Sequence, residues 1–225
     1  VNALMNVDQR QVDAAILFGT DFKDMKLHET AARRPQLPLY VLARDSTIES
    51  IPSVSCDSAI AMAEICAHLW ARGYRRPGFM TGPRTLSTAL GRRRHFVAEW
   101  AARGVTEVPL LVSGSYDRHA AIATLQAYLT CTPAAERFDV LMCENDALAM
   151  GAADLARSGF GLRVPQDLAI LGFDDYEQVS APCYDLTSYR QPIAAMVEAL
   201  VQMIEGKAPQ QSLALPGELI LRGST

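Results

Sequence analysis

Short apolar runs of β-like composition alternate with amphipathic helical stretches through almost the whole chain, and that alternation restricts it to βα units feeding parallel sheets. Residues 12–18 and 39–42 read as buried strands, with a short helix at 29–34 between them. After 53–55, Asp57 is placed to cap a helix running to Arg72, with Ala59, Met62, Cys66, Leu69 and Trp70 on one face and Gly73 ending it. The pattern continues with strands at 78–81, 109–112, 140–143 and 168–171 and helices at 88–103, 118–129, 146–157 and 193–204. Short strands at 213–215 and 218–221 close the chain, and no internal repeat or low-complexity linker interrupts it.

The 225 residues are 49% hydrophobic and 20% charged, ordinary usage for a globular chain with a sizeable core. A formal net charge of -4 argues against a broad nucleic-acid footprint on this segment, because phosphate binding needs a clustered positive field. No apolar run reaches the roughly 18 residues that span a bilayer, so no membrane partner is expected. The five cysteines are scattered and never spaced C-x-x-C, which points to neither a disulfide framework nor a zinc site. They read as small core residues in a reducing cytoplasm. The chain opens on Val1, and residues 1–7 look like the second half of a helix, so a fragment of a longer protein is expected.

Chemistry concentrates in a few places. The run from Val164 to Asp175 reads as a turn, a short buried strand and a glycine that presents Asp174 and Asp175 at the strand's carboxyl end, where open α/β sheets place their ligands. Asp174 can accept charge-assisted hydrogen bonds from the hydroxyls of a polyol, whereas Asp175 suits a cap on the following turn. In the stretch 82–96, the Ser87 and Thr88 hydroxyls, a helix start and the Arg92 guanidinium offer donors to a hydroxylated or anionic ligand. Arg93 and Arg94 read as a solvated helix face. At 143–151, Asp146 is expected to cap a helix while Asn145 offers a two-way hydrogen-bonding group. Tyr116 could stack on the apolar face of a sugar or simply pack, and Phe18 and Thr20 lie at another strand tip.

Several of these segments resemble the lactose/galactose repressor (LacI/GalR) family of bacterial transcription regulators. The carriers are V-P-Q-D-L-A-I-L-G-F-D-D at 164–175, L-T-S-Y-R-Q-P at 186–192, N-D-A-L-A-M-G at 145–151 and the terminal L-P-G-E-L-I-L-R-G-S-T. The resemblance implies a type I periplasmic-binding-protein-like α/β fold: two Rossmann-like subdomains with parallel sheets, three crossovers and a ligand cleft between them. The implied subdomains are 1–55 with 189–216, lacking its opening strands, and 56–188 with 217–225. It implies effector contacts from Ser87, Thr88, Arg92, Tyr116, Asn145, Asp174, Gln191 and Phe18. Two positions depart from the family pattern: His95 stands where a glycine is usual, and Ala43 where many sugar-responsive members have aspartate.

Catalytic patterns are missing. There is no G-x-S-x-G, H-E-x-x-H, G-x-x-x-x-G-K-[ST] or G-x-G-x-x-G run, and the four histidines are isolated, so no enzyme, cofactor or metal is expected. The resemblance implies instead a domain in which a small-molecule effector, a sugar or sugar derivative, controls operator DNA binding by a helix-turn-helix headpiece outside this segment. It also implies a homodimer joined through the helix at 148–157 and the loop at 177–184, with Val179, Pro182 and Tyr184 covered. A periplasmic sugar-binding protein of a transport system would share the same fold.

Overall fold

The computed structural model describes residues 12–18, 24–33, 35–44, 48, 50–83 and 87–225. The chain separates into two compact units. One takes the chain up to Asp57 and from Pro192 to Pro216; the other takes Ser58 to Gln191, apart from a few residues at the start of one helix, and Gly217 to Thr225.

The first unit holds a four-stranded parallel sheet in the order β1-β2-β3-β9, from β1 (Ala15–Phe18), β2 (Leu39–Leu42), β3 (Ser53–Cys56) and β9 (Leu213–Leu215). Helix α1 (Asp24–Arg33) joins β1 to β2 and starts five residues before the 29–34 that the periodicity suggests. Helix α6 (Ile193–Ile204) turns Met196, Leu200 and Met203 onto Tyr40, Leu42 and Val54. The spacing of those three residues is the apolar stripe of a helix lying on a sheet.

The second unit is built on six strands in the order β10-β8-β7-β6-β4-β5. They are β4 (Pro77–Thr81), β5 (Leu110–Val112), β6 (Val140–Cys143), β7 (Ala169–Asp174), β8 (Thr187–Arg190) and β10 (Glu218–Ile220). Their helices are α2 (Ser58–Ala71), α3 (Ser87–Ala102), α4 (Arg118–Cys131) and α5 (Asp146–Asp154). The central strands are buried on both faces, as parallel strands covered by helices must be, and Phe79, Phe96 and Trp100 are wholly enclosed. Each such side chain contributes roughly 1.5–3 kcal/mol through the apolar surface it removes from water.

Four expectations change. Residues 187–190 form a strand paired with β7, so the expected boundary at 189 falls inside β8 and the chain passes to the other unit only after Gln191. The terminal strand β10 runs antiparallel to β8, so this sheet is not wholly parallel. The helix expected at 146–157 stops at Asp154 and widens into a π-turn over Leu155–Gly159. Val179, expected to be covered by a second subunit, is fully buried in this chain's own core against residues such as Leu148 and Leu186.

Candidate functional site

β7 ends in two residues with left-handed backbone: Asp174 has φ 111° and Asp175 φ 55°. Aspartate tolerates this region better than most residues because its short polar side chain can bond locally, yet such strain persists only where the surroundings enforce it. The surroundings are the carboxyl ends of the neighbouring strands, each of which delivers polar groups beside it.

Asp175 is clamped. One oxygen accepts from Arg222 Nη2 at 2.7 Å and the other from Arg190 Nε at 2.8 Å, while its own N–H donates to Ser188 Oγ at 3.1 Å. It is an ion-pair hub rather than the simple turn cap its position suggests.

Asp174 is more open in its chemistry. Its Oδ1 accepts from Gln191 Nε2 at 2.6 Å. Burial pushes its carboxyl above the usual range and the charge of Glu144 adds to that, while Arg92 and hydrogen bonds from Gln191 and Tyr176 pull it back. Arg92 comes from the second turn of α3, lays its guanidinium 3.7 Å from the centre of the Phe173 ring, and donates from Nη1 to the Glu144 carbonyl at 2.7 Å. Asp174, Gln191 and Arg92 are therefore brought together at one edge of the six-stranded sheet.

Asn145 and Asp146 exchange the roles read from sequence. Asn145 is the N-cap of α5, its Oδ1 accepting from the Leu148 N–H at 2.9 Å. Asp146 is fully buried, accepting from Ser188 Oγ at 2.6 Å and from the Tyr176 N–H at 2.7 Å. Burial pushes its carboxyl up to about 7, against the pull of those two hydrogen bonds. Gly172 makes the approach possible, since a Cβ there would stand 2.1 Å from Asp146 Oδ1.

Tyr116 does not stand free for stacking. Its ring lies against Gly82, where a Cβ would meet it at 2.4 Å, and its hydroxyl donates to Glu144 Oε2 at 2.9 Å. Ser87 and Thr88 open α3, but their side chains lie outside the described residues, as does Thr20. Phe18 ends β1 in the first unit and is 69% exposed. Sequence reading missed Glu144, Tyr176, Ser188 and Arg222. For Glu144 a local signal existed: a charged residue following a wholly apolar strand and preceding a buried helix has nowhere to reach water.

Among the described residues no group of histidine, cysteine and carboxylate side chains could hold a metal ion, and no helix is long and apolar enough to cross a membrane.

Residues 66–225 match the periplasmic binding protein-like domain family. The HTH-type transcriptional repressor CytR of Escherichia coli is 28% identical over 224 residues, covering 96% of this chain and 63% of that protein. The chain spans about three fifths of the length of the first curated relatives it matches. A LacI transcriptional regulator from a Rhodococcus species superposes with a TM-score of 0.84 at 25% identity, over 100% of this chain and 81% of that one. The lac repressor dimer bound to operator and the anti-inducer ONPF superposes with a TM-score of 0.85 at 22% identity, over 100% and 77%, and shares the fold. With βα units in two parallel-dominated sheets and carboxylates presented at the strand ends, the chain belongs to the periplasmic binding protein-like domain family, and it is similar in sequence and fold to LacI-type transcriptional regulators.

Proposed function

We propose that this domain binds a small hydroxylated effector at the carboxyl edge of its six-stranded sheet and thereby controls operator binding by a helix-turn-helix segment of a longer, cytoplasmic, homodimeric repressor. The observation that carries the reading is the Asp174–Gln191 pair beside Arg92, acceptors and donors converging on strained strand-end backbone. The chain passes between the two units after Asp57, Gln191 and Pro216. Asn145 adds a further effector contact, while Tyr116 contributes through Glu144. No nucleophile and base, and no metal, are assigned; the domain binds and releases its ligand unchanged.

Control follows from differential affinity. An effector that binds one arrangement of the two units better than another shifts the population, and a preference of about 5- to 150-fold supplies the 1–3 kcal/mol typical of allosteric coupling. A transport role is the weaker reading, because a relative as similar as CytR is named a transcriptional repressor.

Thermal-shift screening against sugars, sugar phosphates, sugar acids and nucleobases tests the site. A ligand present at 100 times its Kd stabilises the folded state by about 2.7 kcal/mol, and Asp174→Ala and Arg92→Ala should each abolish that gain. Retention of the shift in both variants overturns the assignment. In the longer protein, the same ligand should change operator affinity.

A further inference from the structure

Glu144 carries more hydrogen-bonding capacity than the protein uses. It directly follows β6 and is wholly buried. Its Oε2 accepts from the Thr81 hydroxyl, the Gly82 N–H at 3.1 Å and the Tyr116 hydroxyl at 2.9 Å. Its Oε1 is equally sealed and has no partner. A carboxylate can accept at both oxygens, and a buried acceptor without a donor from the protein is a place for one from elsewhere.

The unpartnered buried side-chain atoms among the described residues are Glu144 Oε1, Gln191 Oε1 and Trp100 Nε1. Trp100 is a donor and sits in an aromatic cluster with Trp70 and Phe96. The other two are acceptors, and Arg92 connects their surroundings: it bonds the Glu144 carbonyl and offsets the charge of Asp174, which Gln191 holds. Asp175 is matched by Arg190 and Arg222, whereas the Asp174 carboxyl feels the charges of both Glu144 and Arg92. The two unpartnered acceptors leave the cluster short of donors.

We infer that the effector carries a protonated amine that donates to Glu144 Oε1, together with hydroxyls that donate to Gln191 Oε1 and Asp174: an amino sugar or a similar aminated polyol, rather than a sugar phosphate or sugar acid. The inference rests on the effector-binding reading above. Glu144 stands just before the N-D-x-x-A-x-G run, so the family pattern assigns it no role.

Isothermal titration calorimetry with glucose, galactose and mannose, each as the free sugar, the 2-amino sugar and the 6-phosphate, tests it on the chain as it stands. At least one amino sugar should bind about tenfold or more tightly than its parent and its phosphate, because a charge-assisted bond exceeds a neutral one by roughly that factor. Glu144→Gln keeps the side chain's shape, lets its amide oxygen serve Thr81, Gly82 and Tyr116, and turns an NH2 donor toward the ligand; the amine advantage should fall to about twofold or less. In the unaltered protein, raising the pH above the amine's pKa should erase the same advantage, so the test survives a variant that folds poorly. Preference for the parent sugar or the phosphate overturns the inference alone, as does an unchanged amine advantage in Glu144→Gln. If no amino sugar of the panel binds, the inference also falls; if Asp174→Ala binds as well as the unaltered chain, the effector-binding reading itself falls.

Discussion

Two networks share the carboxyl edge of the six-stranded sheet, and they are finished to different degrees. Around Asp175 both carboxylate oxygens, the backbone N–H and the facing arginines are matched within the chain, with the Asp175 side chain only 5% exposed and that of Arg222 14%. Around Glu144, Asp174 and Gln191, two buried oxygens have no partner in the protein, and Asp174 feels the opposed charges of Glu144 and Arg92. A polar network that closes on itself rigidifies a fold, whereas one left open raises the energy of the empty protein and holds capacity for a solute. Adjacent aspartates, alike in sequence, thus belong to different networks: Asp175 to the closed one, and Asp174 to the one with acceptors to spare.

The sharpest way to break that division is Asp175→Ala. Removing the carboxylate leaves Arg222 largely buried without its partner, and the loss should be on the order of 3 kcal/mol in the denaturation midpoint. Glu218→Ala, which removes only an exposed partner of Arg190, should cost well under about 1 kcal/mol. Equal effects from the two would erase the distinction between the closed hub and an ordinary surface pair.

Asp146 offers a test of intermediate size, because it lies beneath both networks. Its folded-state carboxyl is raised to about 7 from an ordinary value of 3.8, so between those values the folded state binds the proton that the unfolded chain has released. Its contribution to stability therefore falls as pH rises from about 4 to about 7 and levels off above that. Asp146→Asn should flatten this portion of the stability–pH curve measured by chemical denaturation. A curve of unchanged slope would mean that the burial of Asp146 is not felt thermodynamically.

Tyr116→Phe should have the smallest effect. It removes one of three donors to Glu144 Oε2 while keeping the ring that packs on Gly82, and should cost about 1 kcal/mol in thermal stability. Any effect on ligand binding should follow through Glu144, weakening discrimination between amino and neutral sugars more than overall affinity. A broad loss of sugar affinity would instead make the Tyr116 hydroxyl a direct contact to the ligand.

Much of this was legible beforehand because it depends on local physics. The strands β2 and β6 and the helix α6 lie where hydrophobic periodicity places them, since a run of apolar residues or a stripe at helical spacing reflects burial of the element itself. Asp174 and Arg92 could be singled out from their places at a strand tip and a helix start, and Gln191 from the family resemblance; the three share one edge. Where reading failed, the deciding partner was distant. β8 looks like a connection because Thr, Ser, Tyr and Arg carry no apolar run, yet it is a strand because β7 and β10 flank it.

Sequence by itself determined the alternation of elements, the family and the carboxylates at the end of β7, because each rests on residues near one another along the chain. Only the tertiary structure decided what those residues do. Asn145 rather than Asp146 caps α5, because Asp146 is drawn under Tyr176 and Ser188, 30 and 42 positions away. Asp175 is neutralised by Arg222 from 47 positions away, and Glu144 is left one partner short. Hydrogen-bond satisfaction is a property of which strand ends are neighbours, and strand order is written in no single segment.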